Sequence, residues 1–212
     1  MIEAEDIAYE FIGHYIHKLK SRYDYVERKD QLGNNGDDSI NIDVVEFHTH
    51  CTELLKLQEI NYRNVLKAVY IAYALTLNQS IEEKKVFFHH VHHMWILDIY
   101  LKHFPDSKII SMTRDPRASF VSGVKHWQKH NPELDHLRHV YFVLNRTLED
   151  AIILKNEKND YRVLKIEDLG QEKILTSICD WLNIRYDVCM KQSTWAGKRW
   201  WGDQLSVSNV GK

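Results

Sequence analysis

The sequence lacks long hydrophobic runs, paired cysteines and an excess of charge of one sign. No stretch approaches the roughly 18 apolar residues of a membrane span, so we predict a soluble protein. The three cysteines are scattered and show no CxxC spacing, which favours a reducing cytoplasm over a disulfide framework. The formal net charge is -2, so no overall field attracts nucleic acid and any anion site must be local.

The remaining composition is that of an ordinary globular protein, with 44% hydrophobic and 27% charged residues in 212. This length suits one domain, residues 1–212, with a sizeable core. We expect residues 1–83 to be mainly helical, 84–182 to alternate strands with helices, and 183–212 to form a tryptophan-rich tail. Thirteen histidines and six tryptophans are the unusual counts.

Apolar spacing predicts three helices near the amino terminus, around residues 7–19, 44–55 and 62–77. The polar segment "KDQLGNNGDDSIN" (29–41) between the first two is the best candidate for a mobile loop. Three apolar stretches further on predict strands: "KKVFFHH" (84–90), "SKIISMT" (107–113) and "YRVLKIEDL" (161–169). Helical patterns separate them, so we expect an α/β fold with a short parallel sheet covered by helices in three layers.

The second predicted strand leads into a helix through "KIISMTRDPRASFVSG". Asp115 suits the N-cap and Pro116 the first helical position. Arg114 therefore lies at the carboxyl end of a parallel strand, where α/β sheets bind ligands, and its guanidinium suits a phosphate. Ser122 follows eight positions later, about two helical turns along.

A plain structural interpretation of the same residues is also open. In it the turn is an ordinary helix cap, Arg117 is solvated, and the Ser122 hydroxyl donates to the Ala118 carbonyl. Glu167 and Asp168 follow the third predicted strand, and we expect them to cap the next helix and hold the strand end.

The segment "FPDSKIISMTRDPRASFVSG" resembles the part of the sulfotransferase family that binds the 3′-phosphate of 3′-phosphoadenosine 5′-phosphosulfate (PAPS). The segments "HHMWILDIYLKHFPD", "YRVLKIEDLGQEKILTSICDWLNI" and "STWAGKRWWGD" also resemble family segments, so the resemblance covers residues 85–203. It implies a fold related to the P-loop nucleotide-binding proteins. It also implies in-line transfer of a sulfuryl group to a hydroxyl or amine of a small-molecule or glycan acceptor, without a metal.

The resemblance also implies which residues form the site. Arg114 and Ser122 match the two family positions that bind the 3′-phosphate. His89, and next His93, are our candidates for the base that takes the acceptor's proton. Lys198 lies in the tryptophan-rich segment, which either closes over a ligand, with Lys198 touching phosphate, or covers the sheet edge.

One family element is not found in the sequence. The family binds the 5′-phosphosulfate in a glycine-rich, basic P-loop variant, but no Gly-Lys-Ser or Gly-Thr-Thr occurs here. The only glycine cluster, "GNNG", precedes acidic "DDS". We therefore expect one of three cases: a truncated sulfotransferase, a relative that has lost donor binding, or one in which an unrecognised element does the work of the P-loop. The alternative function is a degenerate domain that binds a nucleotide or a partner protein without turnover.

A histidine-based metal site is a further alternative. His89 and His93, and also His126 and His130, are i,i+4 pairs that can share a helix face, and "HTHC" (48–51) adds further donors. No HExxH or CxxC frames these residues.

Overall fold

The computed structural model describes residues 3–20, 32–82, 94–130, 135–155 and 161–201. The chain divides into two compact units, and each is described by itself. The first comprises Met1–His92, Lys102–Phe104 and Ser193–Lys212, and the second His93–Leu101 and Pro105–Gln192. The single domain that we predicted stays a prediction.

Three amphipathic helices form the first unit: α1 (Ala4–Lys20), α2 (Val44–Lys56) and α3 (Tyr62–Thr76). Asp43 caps α2, because its Oδ1 accepts from the Val45 and Glu46 N–H groups at 2.9 and 3.0 Å. The core between the helices is apolar and contains Ala8, Phe47, Cys51, Leu55, Ala68 and Ala72. The three helices predicted from apolar spacing are confirmed.

A short hairpin completes the described part of the first unit, with β3 (Thr194–Trp195) antiparallel to β4 (Lys198–Arg199). Its two turn residues, Ala196 and Gly197, have φ angles of 48° and 81°, as two-residue hairpin turns require. Trp195 and Trp200 pack against the helical core of this unit. This is a role that we did not predict for these tryptophans.

The second unit contains a parallel strand pair and its helices. Its elements are α4 (Met94–His103, of which the last two residues belong to the first unit), β1 (Ile109–Thr113), α5 (Pro116–His130), α6 (His136–Lys155), β2 (Tyr161–Lys165) and α7 (Glu172–Leu182). Two 3₁₀ turns, Ile166–Asp168 and Val188–Lys191, follow β2 and α7.

Strands β1 and β2 pair in parallel over their whole length, from Ile109 beside Tyr161 to Thr113 beside Lys165. Helix α6 contacts both strands and packs against α5. The predicted α/β fold, with a short parallel sheet flanked by helices, is therefore confirmed. The predicted strand at 161–169 ends earlier, at Lys165, because residues 166–168 turn in a 3₁₀ helix. The predicted strand at 84–90 lies outside the described residues.

Candidate anion-binding site

The junction of β1 and α5 forms a corner, residues 113–117, at the carboxyl end of the strand pair. Asp115 is the N-cap of α5, since its carbonyl accepts from the Ser119 N–H at 2.9 Å and its Oδ1 from the Arg117 N–H at 2.8 Å. Pro116 is the first helical residue, where its missing N–H costs nothing. Both predicted cap positions are confirmed.

Arg117 folds back onto the cap residue, Asp115. Its Nη2 and Nε donate to Asp115 Oδ2 and Oδ1 at 2.6 and 3.1 Å. This pair holds the pKa of the Asp115 carboxyl well below its ordinary value and raises that of Arg117. The Arg117 side chain is 91% exposed, so the pair contributes little to stability. The Asp115 carboxylate nevertheless neutralises the charge of Arg117, one of the two arginines of the corner.

Arg114 is the other arginine of the corner, and its situation differs. It is exposed, and its guanidinium forms no hydrogen bond or ion pair with any residue that the structure describes. Its charge acts on the nearby Glu167 carboxylate. Arg114 is thus the cation of the corner that can accept an anionic ligand.

Ser122 lies on the second turn of α5 and is exposed. Within the described part of the chain its hydroxyl has no hydrogen-bond partner, and the predicted alternative bond to the Ala118 carbonyl is not formed. Arg114 and Ser122 therefore belong to one strand–helix junction, and no residue that the structure describes bonds their polar side-chain groups.

The two acidic residues after β2 do not cap α7 as we predicted. Gln171 is the N-cap residue there, without a side-chain cap bond. Glu167 instead accepts from the Asp115 N–H through Oε1 at 3.1 Å, which chiefly lowers the pKa of the Glu167 carboxyl. Asp168 accepts from the Gln171 side chain at 2.9 Å. The prediction that this pair holds the strand end is confirmed for Glu167.

Behind Ser122, α5 and α6 approach closely at Gly123. A Cβ on Gly123 would lie 2.1 Å from His139 Nε2. His139 is 9% exposed and contacts the rings of Phe120 and Phe142, with centroids 5.6 and 6.4 Å away. A larger residue at position 123 would therefore force the buried His139 ring or the helix that carries Ser122 to move.

Lys198 belongs to the first unit, where β4 directs it at a carboxylate. Its Nζ lies 2.9 Å from Asp38 Oδ2, in the acidic loop that contains "GNNG" and "DDS". The described part of this loop, which we expected to be mobile, is bonded to the hairpin. The Gly33 N–H donates to the Arg199 carbonyl at 2.8 Å, and Trp201 Nε1 donates to the Gly33 carbonyl at 2.7 Å.

The candidate bases, His89 and His93, lie outside the described residues. So do the side chains of His126 and His130. Among the described residues, no group of three or more His, Cys, Asp or Glu is placed to hold a metal ion. In "HTHC", His50 pairs with Glu46 at 3.5 Å and Cys51 is buried in the core.

The geometry defines an α/β protein with an exposed cationic corner where parallel strands end, the place at which such sheets bind phosphorylated ligands. Comparison with known families agrees: the model of the Sulfotransferase family matches residues 19–187, most of the chain, and this range includes Arg114 and Ser122. The chain belongs to the sulfotransferase family. No curated protein and no solved structure gives a match. Over its described residues, the chain has no helix long and apolar enough to cross a membrane.

Proposed function

We propose that the chain binds the 3′-phosphate of PAPS through Arg114 and Ser122 and transfers the sulfuryl group to a hydroxyl or amine acceptor. The observation that carries the proposal is the exposed Arg114 guanidinium, which no described residue bonds, at the end of β1. Family membership supports the reaction class. Small-molecule acceptors are typical of this family, and a glycan acceptor is our alternative.

The chemistry of the two side chains fits a phosphate. A guanidinium donates paired, charge-assisted hydrogen bonds to phosphate oxygens, and a serine hydroxyl adds a third donor. The first turn of α5 contributes the positive end of a helix dipole. Because Asp115 matches the charge of Arg117, the attraction for an anion comes from Arg114.

The donor, when bound, supplies a sulfuryl group whose bond to the bridging phosphate oxygen breaks as a bond to the acceptor forms. The bond's electron pair leaves with adenosine 3′,5′-bisphosphate, and the acceptor's proton goes to a base. By resemblance we propose His89 for this base and His93 as second choice. We propose that Lys198 assists by contacting phosphate.

Calorimetric titration with adenosine 3′,5′-bisphosphate tests the binding step. We expect Arg114→Ala to weaken binding about tenfold or more, and Ser122→Ala to weaken it less, because the hydroxyl is neutral. Arg138→Ala is the matched control, since it removes an exposed arginine of the same unit that lies on α6. If the wild type does not bind, or if Arg114→Ala and Arg138→Ala bind alike, the assignment is wrong.

A second function, nucleotide binding without turnover, is favoured by one observation. Lys198, proposed to contact phosphate, is paired with Asp38. A sulfate-transfer assay with labelled PAPS and a mixture of phenols, alcohols and amines separates the two functions. Transfer above the uncatalysed rate supports the enzyme, and its loss in His89→Ala supports the base. Tight nucleotide binding with no transfer supports the second function.

A further inference from the structure

Glu167 connects the two parallel strands at the edge where the proposed ligand binds. Thr113 and Lys165 are the last paired residues of β1 and β2, so the chain leaves both strands at the same level. Two residues beyond Lys165, Glu167 Oε1 accepts from the backbone N–H of Asp115 at 3.1 Å. The bonded peptide is the one that joins Arg114 to Asp115.

This bond is a long-range version of a capping box. In a capping box, a glutamate at the third helical position accepts from the N–H of the N-cap residue. Here Asp115 is the N-cap and the third helical position is Ala118, which has no acceptor. Glu167 supplies the missing carboxylate from the 3₁₀ turn after β2, 52 residues along the chain. The backbone immediately after Arg114 is thereby held.

The same carboxylate also adds a negative charge beside Arg114. The Arg114 charge contributes to the low pKa of Glu167, so the two groups interact electrostatically. A phosphate that binds Arg114 enters the field of that carboxylate, which opposes it. Glu167 thus helps by accepting a hydrogen bond and hinders by its charge, and two substitutions separate these effects.

We propose that Glu167 is a positioning residue of the phosphate site, which acts by accepting the Asp115 N–H and so fixing the peptide from which Arg114 extends. The proposal rests on the proposed function for the identity of the ligand. Glu167 itself does not contact the phosphate. Its role is to hold the turn, and an uncharged acceptor of the same length performs that role equally well.

Two variants test this proposal by calorimetry with adenosine 3′,5′-bisphosphate and by hydrogen exchange at the Asp115 amide. Glu167→Ala removes the acceptor, so we expect about tenfold weaker binding and loss of amide protection. Glu167→Gln keeps an acceptor oxygen and removes the charge, so protection stays and binding is equal to or a few-fold tighter than wild type. Asp168→Ala is the matched control, because that carboxylate bonds the Gln171 side chain instead.

The outcomes separate the two levels of inference. Binding retained by Glu167→Gln and lost by Glu167→Ala supports the positioning role. If the two variants bind alike, or if the Asp115 amide keeps its protection in Glu167→Ala, the positioning role is wrong while the proposed function stands. If the wild type does not bind the nucleotide, the proposed function fails and the role toward phosphate with it. Thermal unfolding of each variant identifies a loss that comes from misfolding.

Discussion

Two basic residues were assigned to phosphate from the sequence, and the structure gives them opposite surroundings. Arg114 ends a parallel strand, and no described residue bonds its guanidinium. Lys198, on the hairpin of the other unit, is paired with Asp38 at 2.9 Å. Glu167, an acid beside the corner, instead accepts a hydrogen bond from the backbone N–H of Asp115. Glu167 therefore forms no hydrogen bond with Arg114, although the two charges interact.

The comparison indicates that a basic residue is a candidate for binding an anionic ligand only if neighbouring acidic side chains form no ion pair with it. At the corner, Asp115 pairs with Arg117 and Glu167 accepts from the Asp115 N–H. Neither acid forms an ion pair with Arg114, so its guanidinium can bind an anion. In the first unit, by contrast, Lys198 of the hairpin pairs with Asp38 of the acidic loop. We therefore expect the glycine substitutions of the first unit to act on stability, and substitutions in the corner to act on binding.

The largest expected effect is on stability, from Gly33→Ala in the acidic loop. Gly33 has a φ of 80°, and a Cβ there would lie 2.4 Å from the Asp38 carboxylate. Alanine at this position is strained by the left-handed backbone, and its Cβ also displaces Asp38, which pairs with Lys198. We expect a loss of about 2–3 kcal/mol in the free energy of unfolding, measured by chemical denaturation.

Gly36→Ala is the matched control for this loop. Gly36 has a similar φ of 77°, but the nearest atom to its Cβ would be a Trp201 ring carbon at an ordinary 3.5 Å. We expect this variant to lose only the backbone term, about 1–2 kcal/mol. If Gly33→Ala and Gly36→Ala lower the free energy of unfolding equally, the clash with Asp38 does not contribute to the loss.

The next effect lies in the second unit, at Gly123. Alanine gains about 1 kcal/mol of helix propensity over glycine but forces the buried His139 ring to move, at about 1–3 kcal/mol. We expect Gly123→Ala to be destabilising by about 1 kcal/mol and to weaken nucleotide binding, because the helix carrying Ser122 shifts. Unfolding and calorimetry measure the two effects.

Gly13→Ala and a double variant are the controls for Gly123. Gly13 lies within α1 with no atom within 4 Å of its would-be Cβ, so alanine there is expected to stabilise by about 0.5–1 kcal/mol. In the background of His139→Ala, Gly123→Ala should lose its penalty. Additive effects of Gly123→Ala and His139→Ala would show that the two residues do not constrain each other.

A smaller effect is expected at Lys198. In the wild type its partnership with Asp38 opposes a phosphate contact, so Lys198→Ala should change nucleotide affinity less than Arg114→Ala does. Asp38→Asn removes the competing charge, and we expect it to tighten nucleotide binding about threefold. Lys198→Ala in the Asp38→Asn background should abolish that gain. If the gain in affinity persists in the double variant, it comes from the change in the protein's net charge and not from Lys198.

The sequence predicted local features well and distant partnerships poorly. The cap formed by Asp115 and Pro116 was predictable because both act within one helical turn. The pairing of Lys198 with Asp38 joins residues 160 positions apart, and no periodicity encodes it. Glu167 was noticed as a strand-end acid, but its bond to Asp115 depends on the register of β1 and β2, which one sequence does not specify.

The last prediction compares the two units through their three native thiols. Cys51 is buried in the first unit, Cys179 is buried in the second, and Cys189 is exposed. Burial raises the pKa of the Cys51 thiol to about 11 and also raises that of Cys179, so both stay protonated at neutral pH. We expect a thiol reagent to modify Cys189 first, at a rate that rises with the thiolate fraction as the pH rises. Because Asp187 raises the pKa of Cys189, this rise occurs at a higher pH than for a free cysteine.

The slow labelling of the other two thiols then measures the opening of each unit separately. If the units open independently, Gly33→Ala accelerates labelling of Cys51 alone, and Gly123→Ala that of Cys179 alone. If the chain is one cooperative domain, as its length predicts, either variant accelerates both thiols equally, because both become exposed in the same global unfolding step. Mass spectrometry of the modified peptides decides between these outcomes, and the Gly36→Ala protein shows how far backbone strain alone moves the Cys51 rate.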